Sequence, residues 1–300
     1  MIHTVTYVTM KKVELESKNS RLQMVKIRPC SMRVHFKTNG GLCIMKKVAL
    51  VVGGGRSLGE FLSKHLAKEG YRVAVGDLIK ENAEKVAAEI VEAGGEAIAV
   101  TANACKEDDV AAMFKSVDEH YGRVDLLLYN AGVARSAKIT KFNLEDFKFI
   151  CDVNLNGYFL CAREAAKMMI EKEIKGSIVV INSKSGCVGS KHNSGYSASK
   201  FGAVGLTQSL ALDLAEHQIR VNSLMLGNLL DSDMFESLLP QYAVKLGIPE
   251  SEVKQVYIDK VPLKRGCRFQ DVANVLTFYA SDKAEYLTGQ SIKITGGQVM

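Results

Sequence analysis

The sequence has no apolar run approaching the roughly 18 residues that cross a bilayer, so an integral membrane protein is not expected. It has no CxxC pair. Its seven cysteines (Cys30, Cys43, Cys105, Cys151, Cys161, Cys187 and Cys267) are odd in number and scattered. That excludes a zinc framework or a disulfide scaffold and leaves reduced thiols as the expectation. The first 30 residues lack the apolar core of a secretory signal, so the expected location is cytoplasmic. The low hydrophobicity of a disordered chain is also missing, since 47% of residues are hydrophobic and 24% charged.

A basic surface is missing too, although the net charge is +6. Eight basic residues (Lys11, Lys12, Lys18, Arg21, Lys26, Arg28, Arg33 and Lys37) and two acids (Glu14 and Glu16) lie in residues 1–44. They account for the whole surplus, and residues 45–300 are neutral. The charge balance is therefore no argument for nucleic-acid binding by the globular part. Residues 1–44 show no sustained helical or strand period and end in Asn39-Gly40-Gly41. We read them as a basic, disordered extension, with Met45 as the natural start and the upstream stretch not natively translated. A functional basic tail and an organelle-targeting segment are the alternatives.

What is present begins at Met45. Short apolar runs at Val48–Val52, Arg72–Val75, Ala97–Val100, Asp125–Tyr129, Ser177–Ile181, Arg220–Leu226 and Ser291–Ile294 read as strands. Amphipathic stretches between them read as helices, including Leu58–Glu69, Asn82–Ala93, Asp108–Tyr121, Phe147–Glu171, Ser197–His217 and Gln270–Ala280. Alternation of this kind predicts an α/β fold: a single doubly wound parallel sheet of Rossmann type, with helices on both faces. Such sheets bind ligands beyond the carboxyl ends of their strands.

After the first strand comes Val52-Gly53-Gly54-Gly55-Arg56-Ser57-Leu58-Gly59. Glycines there let the backbone turn and approach a pyrophosphate, and the following helix offers free N–H groups. Asp77 ends the second strand, where a carboxylate can accept hydrogen bonds from both ribose hydroxyls and repel a 2′-phosphate. The pattern predicts NAD rather than NADP. Tyr196 and Lys200, four residues apart, share one helix face. An ammonium there would lower a phenol's pKa towards neutrality and let Tyr196 exchange a proton with an alcohol or ketone. Ser183 stands at a strand end thirteen residues earlier, Asn130-Ala131-Gly132 follows the fourth strand, and Asn154 lies on the long helix.

Together these residues make 45–300 similar to the short-chain dehydrogenase/reductase family over its whole length. The stretches 181–217, 223–230, 237–248, 257–267 and 288–300 carry the likeness to family members that oxidise a phosphorylated polyol with NAD. The resemblance implies catalytic roles for four residues: Tyr196 as general acid/base, Lys200 as its modulator and a ribose contact, Ser183 as donor to the reacting oxygen, and Asn154 as holder of a relay water. It implies dinucleotide contacts at Gly53, Ser57, Leu58, Gly59, Asp77, Asn103, Asn130, Ala131, Gly132, Tyr196, Lys200 and Leu229. A sugar-phosphate substrate would meet Ser183 and cationic groups at the cleft mouth, for which Lys184, Lys191, His192 and Arg135 are the candidates. A flap over 228–265 would close on it, broken by Pro240, Gly247 and Pro249. No metal is expected, because His192 has no partner ligand at a suitable spacing. The resemblance also implies a homotetramer, with an interface on the helices at 147–171 and 197–217.

The sequence departs from the family at Ser57 (a glycine), Tyr129 (an asparagine), Asn103 (an aspartate), Leu226 (a proline) and Asp231 (a threonine). The alternatives are a dehydrogenase of another polyol or keto substrate, a non-catalytic dinucleotide sensor on the same fold, and nucleic-acid binding through residues 1–44.

Overall fold

The computed structural model describes residues 46–300 and, before them, the backbone of two short strands, β1 (Phe36–Thr38) and β2 (Gly41–Cys43). The expectation of a disordered extension otherwise falls outside the described residues. β1 and β2 pair antiparallel, with Thr38 opposite Gly41. The sequence reading did not anticipate this pairing, although the Asn39-Gly40 dipeptide between the strands is a strong hairpin signal.

The chain from Lys47 onward forms its own unit. Seven strands, β3 (Val48–Val52), β4 (Arg72–Asp77), β5 (Glu96–Thr101), β6 (Leu126–Tyr129), β7 (Ser177–Ser183), β8 (Arg220–Leu226) and β9 (Ser291–Ile294), build one sheet in the order β5-β4-β3-β6-β7-β8-β9. Every pairing in it is parallel. The order reverses between β3 and β6, and a crevice opens at such a switch point.

Side chains alternate along each strand, so the apolar strands feed two cores. Val48, Leu50 and Val52 pack with α3 (Glu107–Tyr121), α5 (Gly157–Glu171) and α6 (Ser194–Leu214). Ala49 and Val51 pack on the opposite face with α1 (Ser57–Lys68), α2 (Lys80–Glu92) and α10 (Phe269–Ala280). The fold is the doubly wound sheet the alternation predicts.

Most boundaries fall within two residues of expectation, and two helix starts differ by three. The helix expected over Phe147–Glu171 begins earlier, as α4 (Leu144–Cys151), and runs through a π-helical turn, Asp152–Asn156, into α5. Its start is set by Asn143, whose side chain accepts from Asp146 N at 2.7 Å, a cap written in the sequence. α6 begins at Ser194, three residues before the expected Ser197. Residues 228–265 contain three short helices, α7 (Asp233–Ser237), α8 (Leu239–Leu246) and α9 (Glu250–Asp259). They enclose a small core of their own around Leu230, Phe235, Ala243 and Val253. Gly247 takes a left-handed conformation that ends α8. Among the described residues no helix is long and apolar enough to cross a membrane, and the five described cysteines are free.

Candidate active site

A cleft of about 550 Å³ runs along the carboxyl ends of β3, β4, β6, β7 and β8. Its first end is shaped by backbone. Gly53 N and Gly54 N both donate to Gly76 O, at 2.8 and 2.9 Å. Gly53 has φ +75°, and a Cβ there would meet the Ala131 backbone at 2.8 Å. A Cβ on Gly59 would lie 1.9 Å from Gly53 O, so both glycines are required by close approach. Asn130 clamps the turn, with Nδ2 donating to Gly53 O at 2.7 Å, and Asn130 N and Ala131 N both donate to Val52 O. Ser57, where the family has glycine, accepts a left-handed φ of +50°. Its hydroxyl takes a bond from Asp233 N of the flap at 3.3 Å.

No side chain caps α1, so the helix keeps free N–H groups and a partial positive charge beside the cleft. Asp77 lines the same end, its two oxygens accepting from Gly55 N (2.9 Å) and Ile79 N (3.0 Å). Each oxygen retains a lone pair for a ribose hydroxyl. Asn103 is held by Cys105 N and Asp109, at 3.0 and 3.1 Å, and lines the cleft with Leu58, Gly132 and Leu229. Gly59 packs behind the turn. Arg56, passed over in the sequence, is an exposed cation on the same cleft. A free helix terminus, a narrow glycine turn and a two-point carboxylate fit a dinucleotide's pyrophosphate and adenosine ribose.

The other end holds the titratable set. β7 ends at Ser183, whose hydroxyl accepts from Ser185 N at 3.1 Å. Burial pushes the Tyr196 phenol up, and a hydrogen bond with Ser183 draws it down. Lys200 is 5% exposed; its Nζ donates to Ile181 O at 3.0 Å and lies 5.7 Å from the centre of the Tyr196 ring. Burial lowers its pKa to about 8. Each group alone resists charge here, but a phenolate and an ammonium side by side would offset one another.

Asn154 sits fully buried in the π-helical turn. Its Oδ1 accepts from Val133 N at 2.8 Å, and its Nδ2 donates to Val133 O and Ser199 Oγ, both at 3.0 Å. Gly132 faces it: a Cβ there would stand 3.5 Å from Asn154 Oδ1 and 3.9 Å from Lys200 Nζ. The missing side chain leaves a gap between those two groups.

Of the four cationic candidates, only Lys184 lines the cleft. Its Nζ donates to Asn228 Oδ1 (2.8 Å) and Gln298 Oε1 (2.6 Å). Burial, followed by the charges of Lys260 and Lys245, lowers its pKa to about 8. Arg135 instead turns to Asp146 at 3.6 Å and to the Phe149 ring. Lys191 is exposed beside His192, whose carbonyl takes a bond from Ala137 N. None of these three is on the cleft wall. Asp231 is exposed and pairs with Lys254 at 3.7 Å. Sequence reasoning missed the aromatic wall of Phe149, Phe235, Tyr242 and Tyr257, because three of the four lie in the flap, whose short helices carry little period.

The short chain dehydrogenase family matches residues 47–243. Sorbitol-6-phosphate 2-dehydrogenase of Escherichia coli (strain K12) is 63% identical over 258 residues, which is 85% of this chain and 100% of that protein. The 3-oxoacyl-[acyl-carrier-protein] reductase of Staphylococcus aureus (strain Mu50) is 37% identical over 257 residues, 85% of this chain and 99% of that one. The crystal structure of sorbitol-6-phosphate 2-dehydrogenase from Erwinia amylovora superposes with a TM-score of 0.83 at 63% identity, covering 84% of this chain and 100% of that one. The match spans more than half the sequence and agrees with the sheet order and the cleft it opens: this chain belongs to the short chain dehydrogenase family and is an oxidoreductase.

Proposed function

We propose that the protein oxidises D-sorbitol 6-phosphate at C2 to D-fructose 6-phosphate, reversibly and with NAD. The observation that carries this is Ser183, Tyr196 and Lys200 in one cleft with Lys184, a half-buried lysine that, among the described residues, donates to two amide oxygens and pairs with no carboxylate. The likeness to sorbitol-6-phosphate 2-dehydrogenases adds the substrate.

The phenolate of Tyr196, stabilised by Lys200, takes the C2 hydroxyl proton as general base, and the phenol so formed passes the proton onward. Ser183 donates to the reacting oxygen and steadies its charge. A water in the gap beside Gly132 would connect Lys200 to Asn154 and pass the proton to solvent. Lys184 draws the phosphate to the cleft floor, with Arg135, Lys191 and His192 left as outer charges that steer it. A nicotinamide dinucleotide, when bound, supplies the acceptor for the C2 hydride. Gly53, Ser57, Leu58 and Gly59 would hold its pyrophosphate, Asp77 and Asn103 its adenosine, and Asn130, Ala131, Gly132, Leu229, Tyr196 and Lys200 its nicotinamide side. Preference for NAD rests on Asp77, which repels a 2′-phosphate.

We also read the protein as a cytoplasmic homotetramer. Phe159 on α5, and Phe201 and Leu212 on α6, leave apolar area exposed on the helices expected at the interface, Leu212 being 80% exposed.

The test is initial rates with sorbitol 6-phosphate, sorbitol, mannitol 1-phosphate and ribitol 5-phosphate, each with NAD and NADP. Rapid turnover of sorbitol 6-phosphate with NAD alone is expected. Turnover of sorbitol as good as that of its phosphate would remove the phosphate from the account. No turnover at all despite tight NADH binding would leave a dinucleotide sensor.

A further inference from the structure

The flap carries two more lysines that lie outside the cleft wall but against residues that line its substrate end. Lys245, on α8, donates from Nζ to Ser190 Oγ at 3.3 Å and lies 5.7 Å from the centre of the Tyr242 ring. Lys260, which ends α9, lies 5.2 Å from the centre of the Tyr257 ring. The two tyrosine rings pack with centroids 5.3 Å apart, and both line the cleft, as Ser190 does. After burial, Lys260 and Lys245 are the charges that oppose protonation of Lys184, and Lys245 is opposed in turn by burial and then by Lys260 and Lys191.

Among the described residues, no carboxylate forms an ion pair with Lys184, Lys245 or Lys260, whereas Lys254 on the same flap is paired to Glu236 and Asp231. Like charges gathered without an acid repel one another, and a dianion placed among them turns that repulsion into binding. Hydroxyls and amides alone would suffice for a neutral polyol, so they do not explain the three lysines.

We propose that Lys245 and Lys260, carried by the flap, complete with Lys184 a subsite for the phosphate of a polyol phosphate monoester. The proposal rests on the phosphorylated-substrate reading above. It makes the flap itself the reader of the phosphate: Lys184 is fixed to the sheet, while the other two lysines arrive on α8 and α9, so the dianion draws the flap onto the strand ends. Closure of that kind excludes water from the Tyr196 end before the hydride moves.

The test compares wild type with K245Q/K260Q, with the exposed Lys260→Gln alone, and with K245R/K260R. The expected result is a fall of about tenfold or more in the ratio of kcat/KM for sorbitol 6-phosphate over that for sorbitol. The loss should lie mainly in KM, be partial in the single variant, and be largely restored by the two arginines. A ratio unchanged in K245Q/K260Q, or an equal loss on both substrates, overturns the proposal. A second readout does not depend on the substrate's identity: inorganic phosphate should raise the Tm of wild type and raise it less in K245Q/K260Q. Wild type that prefers no phosphorylated polyol but keeps this phosphate response would sink the substrate reading and retain the anion subsite. No phosphate response in wild type would sink the subsite.

Discussion

The two ends of the cleft carry opposite charge, and they hold it differently. At the dinucleotide end, Asp77 is an acid gripped by two backbone N–H groups, Gly55 and Ile79. At the substrate end, Lys184 and Lys200 are lysines pressed down to about 8 by burial, held by side-chain amides and by one carbonyl. On the proposed reading, one end would turn an extra phosphate away and the other would attract one. The same molecule would then refuse a phosphorylated ribose and demand a phosphorylated polyol, with no change of fold between the two decisions. Specificity would come from the sign of the charge at each end of one sheet.

The largest break in that contrast should come at the acid end. Asp77→Ser removes the carboxylate and leaves Arg56 as a cation on the same cleft. The ratio of kcat/KM for NAD over NADP should fall by about a hundredfold, corresponding to about 3 kcal/mol of lost discrimination. Parallel initial rates with the two dinucleotides check it, and an unchanged ratio would remove Asp77 from the account.

A smaller effect sharpens the basic end. Lys184 titrates near 8 because burial, then Lys260 and Lys245, disfavour its charge. A bound phosphate dianion favours the ammonium, so substrate binding is complete below that pH and weakens as pH rises through it. KM for sorbitol 6-phosphate should climb towards about tenfold per pH unit above 8, while KM for sorbitol stays flat. Lys200 titrates in the same window but acts on both substrates alike, so the ratio of the two KM values isolates the lysines that meet the phosphate, Lys184 first among them. A pH-independent ratio would mean that Lys184 does not meet the phosphate.

Most of the acid end was legible in the sequence. The glycine turn and Asn130 each follow a strand directly and Asp77 ends one, and a strand is easily recognised by its apolar run. Ser183, Tyr196 and Lys200 were legible for a similar reason, since a short spacing on one strand end and one helix carries them. The rest depends on tertiary packing. The π-helical turn that places Asn154 has no side-chain period of its own. Lys245 and Lys260 lie more than sixty residues from Lys184 and come near enough to oppose its charge only through the tertiary packing of the flap. Arg135, Lys191 and His192 were chosen by loop position, and the structure turns Arg135 to Asp146 and Phe149 instead. Ser57 departs from the family's glycine, yet a left-handed serine keeps the turn and adds a tie to the flap at Asp233.

The measurement that bears most directly on the account is Tyr196→Phe, assayed for sorbitol 6-phosphate turnover and, separately, for NADH binding by fluorescence. The substitution removes only the phenolic oxygen beside Ser183 and Lys200. The account predicts a loss of kcat of about 10³-fold or more with NADH affinity nearly unchanged. Near-normal turnover in that variant would contradict it.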